Sequence, residues 1–421
     1  MRRITVIALV VIAIVIVLGV GYFLATRGGD KGDEAAAPYE SVGNLPPGTP
    51  GSGGTLPSVP PQAPATPGGA TVKQRFGIVA QVPVTDYFVD NKNSVFIIQP
   101  DGKIVSIAGS VQATLSAQTI DGDLIRASFS ADGKKVLAVF GKTTAPQTSV
   151  FDITAKRWDP LSIDVKEPTW SPTGTKIAFL SANSAEFGVL ATLDLTQSKP
   201  SAQPIARLYA QDVTLSWPSS ETIVLAERGS AYAKSSAWRI DIKTKTIGTL
   251  VDALLGASAV WTPDVSWGAL FTGNRAYRGG TMSLVDGSGT VKKQLEVVTF
   301  PEKCTFIEVD VPIIATSTTT GTTTKKTAKP EVPQTKRTHT LFCAFPKDTA
   351  EMNLLPQPDA YRQRKIYTDD YFYKVDVETG TIANISPPSE YVLDGVNLKV
   401  FGKNLFFVNR YDNYLYSLAL E

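Results

Sequence analysis

One motif returns four times along this 421-residue chain at nearly constant spacing, and that periodicity restricts the fold more than any other feature. Its copies are Phe129-Ser130-Ala131-Asp132-Gly133-Lys134-Lys135-Val136-Leu137, Trp170-Ser171-Pro172-Thr173-Gly174-Thr175-Lys176-Ile177-Ala178, Trp217-Pro218-Ser219-Ser220-Glu221-Thr222-Ile223-Val224 and Trp261-Thr262-Pro263-Asp264-Val265-Ser266-Trp267-Gly268-Ala269. Each reads aromatic residue, tight polar turn, apolar strand. The aromatic positions 129, 170, 217 and 261 advance in steps of 41, 47 and 44 residues. That is the length expected when one repeat makes one four-stranded sheet stacked on its neighbours in a ring. The fold class predicted is all-β, a β-propeller of seven blades, with six and eight as the alternatives. Blades are expected over 76–118, 119–163, 164–208, 209–252, 253–298, 299–386 and 387–421. The last looks one strand short, and the segment from Gly77 to Val84 is expected to close it, removing an open sheet edge.

A second recurring unit marks the outer half of each blade: Phe151-Asp152-Ile153, Leu193-Asp194-Leu195, Ile240-Asp241-Ile242 and Val375-Asp376-Val377, each followed by a polar turn. Strand alternation turns the two apolar neighbours to the face opposite the carboxylate. The expected task of these aspartates is to accept backbone N–H groups in the turn that follows, a structural role in preference to a catalytic or metal-binding one.

The combination of aromatic-Ser-x-x-Gly-x-Lys-apolar strand and, some twenty residues on, apolar-Asp-apolar-x-Thr-Gly resembles the WD40-like propeller repeat of the TolB type. Residues 129–271 carry the resemblance well, and the first and last blades only in outline. In that family the fold implies a periplasmic or secreted propeller used for protein contact. The family's separate N-terminal α/β domain has no counterpart here, so the fold carries over and the Tol-complex role does not.

Before the repeats come two other segments. Residues 4–25 are apolar without a charge, and 22 residues at about 1.5 Å each form a helix about 33 Å long, enough for a bilayer core of about 30 Å. The run exceeds a signal-peptide core, and Phe23 and Ala25 fit its cleavage pattern poorly, so an uncleaved anchor is preferred. Arg2 and Arg3 precede it, which predicts a single-pass protein of the cytoplasmic membrane with residues 1–3 in the cytoplasm and the propeller outside. Residues 26–75, rich in Pro and Gly, read as a disordered tether.

Blade six holds the irregularities. Cys304 and Cys343 lie in two apolar β segments that bracket a Thr-, Lys- and Pro-rich insertion at about 312–338. The two cysteines are expected to face each other and form a disulfide. The insertion is too polar to pack and is expected to be flexible. Its Lys325, Lys326, Lys329, Lys336 and Arg337 read as a solvated loop in preference to a site for an acidic partner. A second insertion, 348–369, carries Tyr361, Arg362, Arg364 and Tyr367, the residue types of a partner-binding loop. A loop that merely covers a blade uses the same types, and the cover is the reading preferred.

The chain has one histidine, His339, and it stands beside the flexible insertion, so no Ser-His-Asp triad is expected there, and a multi-histidine metal site is excluded by number alone. There is no phosphate-binding Gly-rich motif, and 41 Lys+Arg against 39 Asp+Glu leave no field suited to nucleic acid. No catalytic residue, cofactor or metal is assigned, and the chain is not expected to be an enzyme. Three functions are weighed. The first is a membrane-anchored protein-protein interaction module of the bacterial envelope. The second is a carbohydrate- or small-ligand-binding protein or enzyme using the axial channel. The third is an accessory subunit of a membrane assembly, with Gly19 and Gly21 tolerating close helix packing.

Overall fold

The computed structural model describes residues 75–420 apart from 117–121, 143–144, 162–164, 182–187, 210–211, 275–278, 313–334, 351, 354 and 388–389. These residues form seven four-stranded antiparallel sheets arranged as a seven-bladed propeller, with almost no helix. The blades cover 86–116, 124–160, 165–208, 213–255, 258–294 and 304–384, and the seventh comprises 395–419 together with 76–80.

Within a blade each strand pairs with the next. In blade two, β6 (Leu124–Phe129), β7 (Lys135–Lys142), β8 (Ala145–Asp152) and β9 (Arg157–Pro160) pair in sequence order. The second strand of a blade is packed from both sides, and this is why it reads as an unbroken apolar run and not as an alternation. Val136, Leu137, Ala138 and Val139 are all buried, as are Ile177 to Leu180 in blade three and Leu405 to Val408 in blade seven.

The repeat's aromatic residue seals the joint between blades. Phe129, Trp170, Trp217 and Trp261 are each 8% exposed, so the same degree of burial is reproduced four times. Trp170 Nε1 donates to the Ser128 carbonyl of blade two at 3.0 Å, and Trp158 Nε1 reaches Ser116 Oγ of blade one at 3.1 Å. The turn after the aromatic needs a left-handed residue, Gly133 at φ 69° and Gly174 at φ 70°. A Cβ on Gly133 would collide with the Phe88 ring at 2.1 Å. Blade five puts Val265 there at φ 57°, a backbone region that β-branched residues avoid.

The aspartates of the outer unit cap their turns as expected. Asp152 Oδ1 accepts from the amides of Thr154 (2.9 Å) and Ala155 (2.8 Å), Asp194 from Thr196 (3.0 Å), Asp241 from Thr244 (2.6 Å) and Asp376 from Thr379 (2.7 Å). Asp286, in the same place in blade five, accepts from Ser288 and Thr290.

The ring closes with its two termini. β1 (Phe76–Ala80) is the outer strand of blade seven and pairs with β28 (Leu415–Ala419), Phe76 opposite Leu418. The N-terminal strand therefore belongs to the last blade, and blade one starts at Asp86. Cys304 lies directly opposite Cys343 in the β22–β23 pair (Cys304–Pro312 with Thr335–Pro346), and the two form a disulfide that spans 39 residues. The hairpin continues to the pair Pro312–Thr335, further than the expected ends of the insertion, whose residues 313–334 lie outside the described residues. Lys325, Lys326 and Lys329 lie there too, while Lys336 pairs with Glu378 at 2.7 Å and Arg337 with Glu308 at 3.4 Å.

The localisation expected from the N-terminus is corrected. Among the described residues no helix is long and apolar enough to cross a membrane. Residues 4–25, on which the single-pass assignment rested, and the tether up to residue 74 lie outside the described residues.

Candidate functional site

Antiparallel pairing places the turns between first and second strands, and between third and fourth, at one end of the ring. Second-to-third turns and blade-to-blade connections lie at the other. The insertion at 347–369 joins the second and third strands of blade six, Thr335–Pro346 and Asp370–Asp376, and so occupies this second end. It is tied down along its length. Asp359, which opens the single-turn helix α1 (Asp359–Arg362), accepts from the Ala231 amide at 2.6 Å and Ser230 Oγ at 3.1 Å in blade four. Arg362 donates to the Gly229 carbonyl at 2.7 Å and pairs with Glu302. Arg364 reaches Asn413 Oδ1 of blade seven at 3.3 Å. At Gly256, φ is +62° and a Cβ would lie 3.2 Å from the Gln357 carbonyl, so the segment passes close over the connection into blade five. The insertion thus spans the ring end from blade four to blade seven.

Its centre is fixed by a buried charge network. Lys303 Nζ, fully buried, donates to Thr368 Oγ1 at 2.5 Å, Asp370 Oδ1 at 2.8 Å and Asp394 Oδ1 at 2.9 Å. Asp394 Oδ2 accepts from Arg410 at 2.8 Å, and its Oδ1 accepts the Tyr361 hydroxyl at 2.8 Å. The Tyr361 ring stacks on Phe300 at 4.6 Å, with the Arg410 guanidinium over it at 3.9 Å. Two cations meet two carboxylates, so the cluster sums to zero charge, which is the condition for burying ions without a large penalty.

The two carboxylates titrate in opposite directions, each for a stated cause. Burial pushes the Asp370 carboxyl up, because a single ammonium faces it and Asp394 repels it. Burial acts on Asp394 as well, but the charges of Lys303 and Arg410 outweigh it and hold that carboxyl below its ordinary value. Burial, then the Asp394 charge, raises the Tyr361 hydroxyl well above 10. With no solvent access, Asp370 and Asp394 do not form a substrate-facing carboxylate pair.

Of the four residues singled out in this loop, Tyr361 is buried as the central pin. Arg362, Arg364 and Lys365 are exposed, Arg362 while still bonded to the Gly229 carbonyl. Tyr367 is half-buried and stacks on Tyr411 at 5.3 Å. The exposed run 362–365 of the loop is polar and basic. Around it the same end displays Tyr232, 66% exposed, and Tyr411, 49% exposed, from second-to-third turns of blades four and seven. Sequence reasoning missed Lys303, Asp370, Asp394 and Arg410, which meet across separations of 67 and 91 residues. The one signal was a lysine inside the apolar run Val297-Val298-Thr299-Phe300-Pro301-Glu302-Lys303-Cys304-Thr305-Phe306.

No family model matches the chain, and no curated protein matches it. Solved structures do. TolB from Acinetobacter baumannii aligns at 11% identity and a TM-score of 0.35, over 80% of this chain and 63% of that one. A catalytically inactive virginiamycin B lyase from Staphylococcus aureus aligns at 11% identity and 0.46, over 82% and 100%. An oligogalacturonate lyase from Vibrio parahaemolyticus aligns at 9% and 0.47, over 81% and 91%. The chain spans less than two thirds of that TolB chain. These are WD40- and TolB-like propellers, and the likeness concerns the fold. The expectation that the chain is no enzyme is corrected here: two of these three propellers are lyases, and because one fold hosts many unrelated functions, the propeller architecture by itself gives no ground for excluding catalysis.

Proposed function

We propose that the propeller is a protein-interaction module and that the insertion-covered end is its contact face. The observation that carries this reading is the combination of an exposed set, Tyr232, Tyr411, Arg364 and Lys365, with a buried network that holds the segment bearing part of it. Tyrosine and arginine dominate the energetics of protein interfaces, because each offers a large contact at small entropic cost. A segment pinned from blade four to blade seven has little freedom left to lose on binding. The basic residues favour a partner that presents carboxylates.

The test is a photo-crosslinking amino acid placed at Tyr232 and, separately, at Arg364 in intact cells, followed by mass spectrometry. One protein captured from both positions is expected, with capture lost in the Lys365→Glu variant at unchanged melting temperature. Capture of unrelated proteins from the two positions, or capture indifferent to that variant, would sink the proposal.

A further inference from the structure

At the opposite end of the ring, blades five and six bring three potential ligands together. Asp264 comes from the first turn of blade five, and Glu308 and His339 sit directly opposite each other on the β22–β23 pair. One ligand atom from each lies within 4.8 Å of the other two. His339 Nε2 is 3.5 Å from Asp264 Oδ1 and 3.9 Å from Glu308 Oε1. The histidine side chain is 8% exposed, yet its Nε2 has no hydrogen-bond partner. A buried imidazole nitrogen aimed between two carboxylates at more than hydrogen-bonding distance is an orphan that needs a reason.

A metal ion supplies the reason. With bonds of about 2.0–2.1 Å, the donors of a tetrahedral zinc site stand about 3.3 Å apart, so the two histidine–carboxylate spacings of 3.5 and 3.9 Å need only a small contraction, and the two carboxylates, within 4.8 Å, approach each other as the ion draws them in. The carboxylates are already oriented. Asp264 Oδ1 accepts from Thr262 Oγ1 at 2.7 Å, Ser266 Oγ at 2.7 Å and the Ser266 amide at 3.0 Å, and Arg337 engages the other oxygen of Glu308 at 3.4 Å. The Arg337 contact leaves Glu308 Oε1 for the ion, as orienting bonds behind a ligand should, whereas the three bonds to Asp264 fall on the oxygen nearest the imidazole, so an ion bound there replaces at least one of them. The Asp264 and Glu308 side chains are 42% and 29% exposed, which gives the ion a path from solvent.

We propose that Asp264, Glu308 and His339 bind a divalent transition-metal ion of the zinc class, leaving one coordination position open to water or to a ligand atom from outside. Two carboxylates and one imidazole select such ions over calcium and magnesium, which take oxygen donors. The site joins the first turn of blade five to the first hairpin of blade six, so the ion also ties those blades together.

The composition makes the test unambiguous. His339 is the one histidine of the chain, and Cys304 and Cys343 are consumed in the disulfide, so neither a second imidazole nor a thiolate competes. The full-length protein, prepared without a polyhistidine tag and stripped with EDTA, is titrated calorimetrically with zinc chloride and, separately, with calcium chloride. Imidazole resonances are followed by NMR during the zinc titration. The expected result is one zinc per chain with micromolar or tighter affinity, loss of the free imidazole signal at the same stoichiometry and a higher melting temperature. Binding should weaken at least tenfold in Glu308→Gln and Asp264→Asn, two near-isosteric changes that keep the EDTA-state melting temperature and so separate loss of the site from loss of the fold. Calcium should not compete. Zinc binding that leaves the imidazole signal in place, binding unchanged in both variants, or an imidazole that merely titrates with pH and ignores zinc would overturn the proposal.

Discussion

Lys303 carries its charge to a place water does not reach, and its worth depends on which partner is removed. The ammonium has two carboxylates and a hydroxyl around it, all buried. Lys303→Met leaves Asp370 with no cation and Asp394 with Arg410 alone. The expected loss is about 3–5 kcal/mol, the usual cost of breaking a buried pair from one side, measured by urea unfolding. Adding Asp370→Asn to Lys303→Met should recover part of that loss, whereas independent sites would give additive losses. A loss below about 1 kcal/mol in the single variant would show that the network does not hold the insertion. The two acids also respond oppositely to pH. Asp394, held low, contributes stability that is present above the ordinary carboxyl range and disappears as pH falls through its folded value. Asp370, pushed up, contributes while protonated, and that contribution is lost as pH rises through its raised value.

At the scale of strands and turns, the recurring aspartates and the disulfide lead to separate expectations. Hydrogen bonds from the turn hold the carboxyls of Asp241 and Asp376 below their ordinary value, and Asp194 and Asp286 move the same way with side-chain donors leading. The folded chain thus prefers their charged forms, and the stability they add is complete above about pH 4 and falls as the solution is acidified further. Asp376→Asn keeps an acceptor for the turn but removes the proton linkage. Unfolding free energy plotted against pH should fall less steeply below pH 4 in that variant, and an unchanged slope would contradict the assignment. The Cys304–Cys343 bridge closes a loop of 39 residues, worth roughly 3–4 kcal/mol in the chain-entropy model. Reductant should lower the stability of the parent by about that amount and leave a double Cys→Ser variant unmoved. These features were legible because they are local: an aspartate and its turn lie within four residues, and the two cysteines flank one hairpin. The charge network was not, since Lys303, Asp370, Asp394 and Arg410 come from separate elements and no spacing rule connects them. The grouping of His339 with Asp264 and Glu308 was hidden likewise, because it needs the contact between two blades. Repetition also concealed the strain at Val265, where the motif that calls for glycine in blades two and three is filled by a β-branched residue.

For the whole molecule, ring closure decides whether seven similar sheets become one cooperative body. β1 covers the free edge of β28 with five residues, and Phe76 packs into the core shared by Phe407, Tyr416 and Leu418. A chain lacking residues 1–81 should melt at least several degrees lower than one lacking residues 1–71 and self-associate through the exposed edge, as read by calorimetry and light scattering. Equal behaviour of the two truncations would mean that closure contributes nothing. The same pairing has a temporal side. The first strand of the ring is made before the other blades and its mate is the last of the ring's strands to be made, so the ring cannot be sealed until synthesis has passed Ala419. Any stop codon ahead of Leu415 leaves that early strand without its mate and so yields an incomplete ring.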